Sequence, residues 1–306
     1  MKRLRDIQMR DPFIVPDEKR RLYYLFGTTD PDPWYGPGIG FDCYWSKDLR
    51  RWEGPFPAFT PPKGFWGFKS FWAPKVHWYK GRWYMFATFA PRSGCKGIAV
   101  LSAASLPGPF VPYSKGMVTP HAWESLSGTL FVDGQLQAWL VFVHEWVQAI
   151  DGEVCALRLT DNLRASIGAP TVLFRASFAH WPAVLDDMGA RVIDAPFVYR
   201  SKNGKLLMLW TSGCAKGCAT AVSRSASGLI TGRWIHEPKP LYDGDGGCGM
   251  LFHKWNGGLT LVCHHPDDTP NERAILVPLK ENEGRITLCG KPARRTAARW
   301  KPRHKP

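Results

Sequence analysis

The chain of 306 residues is 44% hydrophobic and carries 30 Gly, 26 Pro and 15 Trp. That composition excludes a disordered chain and favours many short strands joined by turns over long helices. The formal charge is +14, but the last sixteen residues hold seven Lys or Arg and no acid, so much of the excess is terminal and a nucleic-acid partner is not expected.

The first predicted pair of strands lies in MRDPFIVPDEKRRLYYLFGTT. Arg10-Asp11-Pro12 stands directly before a short apolar strand. A polar turn follows, then a second strand from Leu22 to Thr28. The arrangement recurs in residues 71–88, 125–142, 192–212 and 246–265. Each unit has a small or acidic residue, often next to Pro or Gly, then a short apolar strand, a turn and a longer apolar strand. The dipeptides Asp133-Gly134, Asn203-Gly204 and Asn256-Gly257 are hairpin signals. A third and fourth strand follow in residues 40–56, 97–110 and 218–237, and more weakly in 157–170. Counted at Asp11, Ala73, Ser127, Asp194 and Cys248, unit starts are 54 to 67 residues apart.

Four-stranded units at that spacing predict an all-β fold, a five-bladed β-propeller over residues 1–290, with 291–306 as a basic tail. In a propeller the innermost strand of each blade lines a central channel. The unit starts should therefore meet at one mouth of it, with Asp11 pointing into a shared pocket. Apolar runs are too short to cross a membrane. No apolar segment follows the basic N-terminus, so a cytoplasmic protein is expected, and a monomer. The eight cysteines are scattered and read as buried small residues in a reducing compartment. Cys214 and Cys218 are the one close pair, which a metal or a disulfide would also explain.

With RDPFIV, FWAPKVHWYKGRWYMFAT, SLSGTLFVDG and DAPFVYRSKNGKLLMLW in this order, residues 8–280 resemble glycoside hydrolase family 43. The resemblance implies an inverting hydrolase of arabinose-, xylose- or galactose-containing glycans. It also implies an Asp general base in blade 1, a pKa-setting Asp in blade 3 and a general-acid Glu in blade 4. Such an enzyme needs one carboxylate to activate water and a protonated carboxyl across the sugar, roughly 6.5–9.5 Å away. A third acid raises the donor's pKa by like-charge repulsion. Asp11 matches the base. The second position falls on Ser127 and the third on Asp194, one methylene shorter than Glu. Lys75 follows WAP where relatives often carry an acid, and Cys248 stands where a His is expected.

VFVHEWVQAIDGE places His144, Glu145 and Trp146 after an apolar strand. Glu145 is thus a candidate proton donor with Asp194 as its modulator, and Glu124 a weaker one. Trp72 and Trp146, and also Trp34 and Trp66, are placed to stack on a sugar face. Ser127, His264 and Arg273 complete the expected substrate contacts. No cofactor is required by this chemistry, and a structural calcium ion near the channel is an option the fold leaves open. The alternative reading is a degenerate propeller that only binds glycans, motivated by Ser127, Lys75 and Cys248. A polyanion-binding protein is a third reading. An invertase-like propeller would need an Asn-Asp-Pro-Asn start and a Glu-Cys pair, and has neither.

Overall fold

Residues 1–290 are described in a computed structural model, and the predicted tail lies outside the described residues. They form five four-stranded antiparallel sheets arranged as a five-bladed propeller. Blade 1 holds β1 (Arg10–Asp17), β2 (Leu22–Thr28), β3 (Phe41–Ser46) and β4 (Glu53–Phe59). Blade 2 holds β5 (Lys69–Tyr79), β6 (Arg82–Ala90), β7 (Gly97–Ala103) and β8 (Val111–Met117). Blade 3 holds β9 (Ser125–Val132), β10 (Ala138–His144), β11 (Glu153–Leu159) and β12 (Ser166–Arg175), with a short helix α1 (Trp146–Ala149) after β10. Blade 4 holds β13 (Asp194–Arg200), β14 (Leu206–Cys214), β15 (Gly217–Ser225) and β16 (Trp234–His236). Blade 5 holds β17 (Gly247–His253), β18 (Leu259–His265), β19 (Arg273–Asn282) and β20 (Arg285–Leu288).

The strands read as their places demand. Middle strands are covered on both faces, and β7, GIAVLSA, is buried along its whole length. The outer strand β12 is mostly exposed and correspondingly mixed in composition. Blades 1 and 2 are joined by Phe41, Phe59, Phe71 and Phe89, all buried; the rings of Phe71 and Phe89 meet edge to face at 4.8 Å. Each such ring contributes roughly 1.5–3 kcal/mol by its burial.

Every innermost strand bulges within its first five residues. There Asp11, Ala73, Ser127, Ala195 and Cys248 adopt left-handed φ of 51°, 47°, 56°, 47° and 52°. The residues before them pair with the second strand as Arg10 with Thr28, Trp72 with Thr88, Leu126 with Val143, Asp194 with Thr211 and Gly247 with His264. In blade 4 the counterpart of Asp11 is therefore Ala195, and Asp194 stands one residue earlier, which corrects the unit alignment.

The bulged N–H groups leave the ladder and reach the next blade round. Thr28 Oγ1 accepts from Ala73 at 2.9 Å, Thr88 Oγ1 from Ser127 at 3.0 Å and Thr211 Oγ1 from Cys248 at 3.0 Å. His264 Nδ1 accepts from Asp11 at 3.2 Å, joining blade 5 to blade 1. Val143 cannot accept, and the Ala195 N–H goes to the Asp194 carboxylate at 2.6 Å instead. Below this ring Phe13, His77 and Phe197 fill the channel, with Phe13 5.3 Å from His77 and 6.0 Å from Phe197. A pocket remains above it.

Candidate active site

Asp11, Ser127, Glu145, Asp194, Cys248 and His264 all line this pocket, with Trp34, Trp72 and Trp146. The bulge puts both Arg10 and Asp11 there. By simple strand alternation Arg10 would point away from Asp11; the left-handed φ at Asp11 breaks the alternation.

Thr28 Oγ1 already accepts the Ala73 N–H, so its proton goes to Asp11 Oδ2, at 2.6 Å. Among the described residues Asp11 Oδ1 has no hydrogen-bond partner, with His264 Nδ1 3.9 Å away. His264 is fully buried and takes the Asp11 N–H on Nδ1, so its proton sits on Nε2, 3.3 Å from Asp267 Oδ1. Arg10 donates to Asp267 at 2.8 Å and to the fully buried Glu272 at 2.5 Å, with its guanidinium 4.9 Å from the Trp34 ring centre. Burial opposes its charge, but Asp267, Asp11 and Glu272 hold its pKa above the ordinary value.

Asp194 Oδ1 accepts from Ser127 Oγ at 2.5 Å, and Cys248 Sγ donates to Oδ2 at 3.7 Å. Burial and the charge of Asp11 push the Asp194 carboxyl up, against the Ser127 hydroxyl, the Ala195 N–H and Lys75. Glu145 is 6% exposed and enters α1 as its N-cap residue. Lys96 pairs with it at 2.5 Å and with Glu124 at 2.7 Å. Burial raises the Glu145 pKa most; Lys96 draws it back, Asp194 and Glu124 add to the rise, and the net shift is upward.

Three expected contacts lie elsewhere. His144 is bound to Glu153 and Gln148, each at 2.9 Å, and stacks on Trp123 at 4.2 Å. It braces the turn after β10 rather than facing the pocket. Arg273 donates to the carbonyls of Arg5, Pro270 and Glu272 and ties the N-terminal segment to blade 5. Trp66 packs on Phe65 and Phe89. Trp72 does face the pocket, its indole N–H bound to the Pro33 carbonyl at 2.6 Å and its ring edge-on to Trp34. Cys218 lines the pocket wall, and all eight cysteines are free thiols.

Thr28, Lys96 and Asp267 were missed as site residues. Thr28 had a signal, the Thr that follows an aromatic-x pair at the end of the second strand in Phe26-Gly27-Thr28 and Phe86-Ala87-Thr88. Lys96 had none, because its partners come from another blade.

Asp11, Cys248 and His264 each offer a ligand atom within 4.8 Å of the others. The donor set does not suit calcium, which takes oxygen ligands. Burial and the charges of Asp194 and Asp11 hold the Cys248 thiol well above its usual range, hence protonated. Both His264 nitrogens are committed.

The model of glycosyl hydrolases family 43 matches residues 6–265. The endo-arabinase of Bacteroides thetaiotaomicron VPI-5482 is 36% identical, with TM-score 0.85, over 92% of this chain and 98% of that one. A thermostable family-43 glycoside hydrolase is 21% identical over 97% of both chains, with TM-score 0.81. An endo-1,4-beta-xylanase of Bacteroides thetaiotaomicron VPI-5482 is 21% identical over 96% of this chain and 97% of that one, with TM-score 0.76. No curated protein matches the chain. The match across all five blades, at this identity to the endo-arabinase, means that the chain belongs to glycoside hydrolase family 43 and is a glycosidase.

Proposed function

We propose that this glycosidase cleaves arabinose-type linkages with inversion, using Asp11 as general base, Glu145 as proton donor and Asp194 as the group that keeps Glu145 protonated. The observation that carries the reading is that these three carboxylates line one pocket at the channel mouth. Asp11 has one oxygen tied to Thr28 and the other free to take a proton from water. That water attacks the anomeric carbon as the bond to the leaving oxygen breaks. Glu145 gives its proton to that oxygen, and the sugar leaves with inverted configuration. Burial and the neighbouring Asp194 both favour protonated Glu145. Arabinose is preferred over xylose and galactose because the 36% identical neighbour is an endo-arabinase. Trp34, Trp72 and Trp146 offer ring faces or edges to the sugar.

The test is a panel of nitrophenyl arabinofuranoside, xyloside and galactoside with arabinan as polymer, the anomer formed being read by NMR. Turnover of the arabinosides with inversion is expected. Asp11→Asn should lose roughly 10²–10⁴-fold or more in kcat and still bind substrate. Glu145→Gln should lose far more with a poor leaving group than with nitrophenol, which departs with little protonation. A product of retained configuration, or an Asp11→Asn variant as fast as the wild type, would overturn the assignment.

A further inference from the structure

Lys75 sits on β5, two residues after the bulge at Ala73, and is 6% exposed. Its ammonium donates to the Ser127 carbonyl of blade 3 at 3.2 Å and to the Pro196 carbonyl of blade 4 at 2.9 Å. Asp194 and Asp11 are the carboxylates whose negative charge it feels. Backbone carbonyls beside a carboxylate are the ligands that a hard metal cation takes. Here they surround a nitrogen cation supplied by a third blade.

We propose that the Lys75 ammonium is the resident cation of the channel, linking blades 2, 3 and 4 and holding Asp194 in its charged form, so that the channel needs no divalent ion. The neighbouring donors agree. A protonated thiol, a histidine with both nitrogens bound and a fixed ammonium make a poor site for a second cation.

The arrangement carries a cost. Burial draws Lys75 down to about 8, with the Asp194 and Asp11 carboxylates only partly restoring it. The same ammonium helps to hold His77, below it, down at about 3. A buried ammonium that costs this much points to an electrostatic role rather than to stability. Ser127 and Lys75 then form one exchange: a carboxylate expected at 127 is replaced by a hydroxyl, and an ammonium enters from 75. The role given to Asp194 rests on the proposed mechanism, so the tests do not read activity.

The first test uses the full chain as purified. Metal analysis should find no stoichiometric calcium or zinc, and neither a chelator nor millimolar calcium should move the melting temperature. Stoichiometric metal, or a melting temperature that falls with chelator, would sink the proposal. In the second, Lys75→Ala opens a space walled by two carbonyls and Asp194, and added calcium or methylammonium should raise its melting temperature while leaving the wild type unchanged. In the third, the ¹³C-labelled carboxyl of Asp194 is titrated by NMR in Lys75→Met, where its midpoint should rise by about one unit or more, the size of an opposite-charge effect at close range. An unchanged midpoint, or a Lys75→Ala variant indifferent to both cations, refutes the role. Should neither variant fold, the metal analysis and the chelator melt on the wild type still decide. A failed sugar screen would leave all three results standing.

Discussion

Single residues at the channel mouth are tuned by what they touch more than by what they are. Glu145 is pulled one way by burial and the other by Lys96 at 2.5 Å. Removing the ammonium with Lys96→Met should raise the pKa of Glu145, so that, with Glu145 as the proposed donor, the alkaline limb of kcat/KM moves to higher pH. A limb that stays in place would mean that Glu145 is not the donor. Stability should fall in the same variant, since Glu124 and Glu145 would share a buried site without their cation. Among the described residues Thr129 Oγ1, at 3.1 Å, is the only hydrogen-bond partner of His77, which is held near 3 by burial and by Lys75. It is neutral in the fold down to that pH, whereas the unfolded chain takes up a proton below about 6.5. The unfolded state therefore binds more protons in this window, and stability is lost as pH falls through it, by at most about 1.4 kcal/mol per pH unit. Urea titrations of His77→Gln between pH 6.5 and 4 should show a shallower loss than the wild type.

The element that organises the site is the bulge at the start of each innermost strand. It frees one N–H per blade and sends it across the blade junction, where a Thr hydroxyl receives it in three places and His264 in a fourth. Thr88 is fully buried. Thr88→Val keeps shape and removes the acceptor, leaving the Ser127 N–H unsatisfied at a cost of about 1–3 kcal/mol. A denaturant midpoint equal to that of the wild type would show that the junction bond is dispensable. Val143 marks where the device is missing, and there Asp194 caps its own following N–H. The same substitution in the ring thus frees blade 4 to present a carboxylate at the pocket.

At the scale of the molecule the propeller closes by joining blade 5 to the start of the chain. The Met9 N–H reaches the Glu272 carbonyl at 3.1 Å, and Arg10 spans Asp267 and Glu272. The ion pairs that close the ring are thus the ones that flank Asp11, so closure and the position of Asp11 are coupled. Residues 291–306 contribute seven cations and few apolar groups. A chain ending at Gly290 is expected to melt within a few degrees of the full length, on the ground of the segment's charge-rich composition alone. A large drop in melting temperature would show that the tail docks on a blade.

The repeat of short apolar strands, Gly-containing turns and unit starts was legible without coordinates, because strand period and turn chemistry are local properties of the chain. So were Asp11 and Glu145 as candidates, since an acid at the edge of a buried strand stands out against its neighbours. Partnerships were not legible. Arg10 faces the pocket because of one left-handed residue, Arg273 is claimed by the N-terminal carbonyls, and His144 by Glu153 and Gln148. Lys75 looked like a lost acid until Ser127 and Pro196 were brought to it from two other blades. These contacts join residues 52 and 121 positions apart. Hydrogen bonds and charges act over a few ångströms of space, and only closure of the ring decides which distant groups share them.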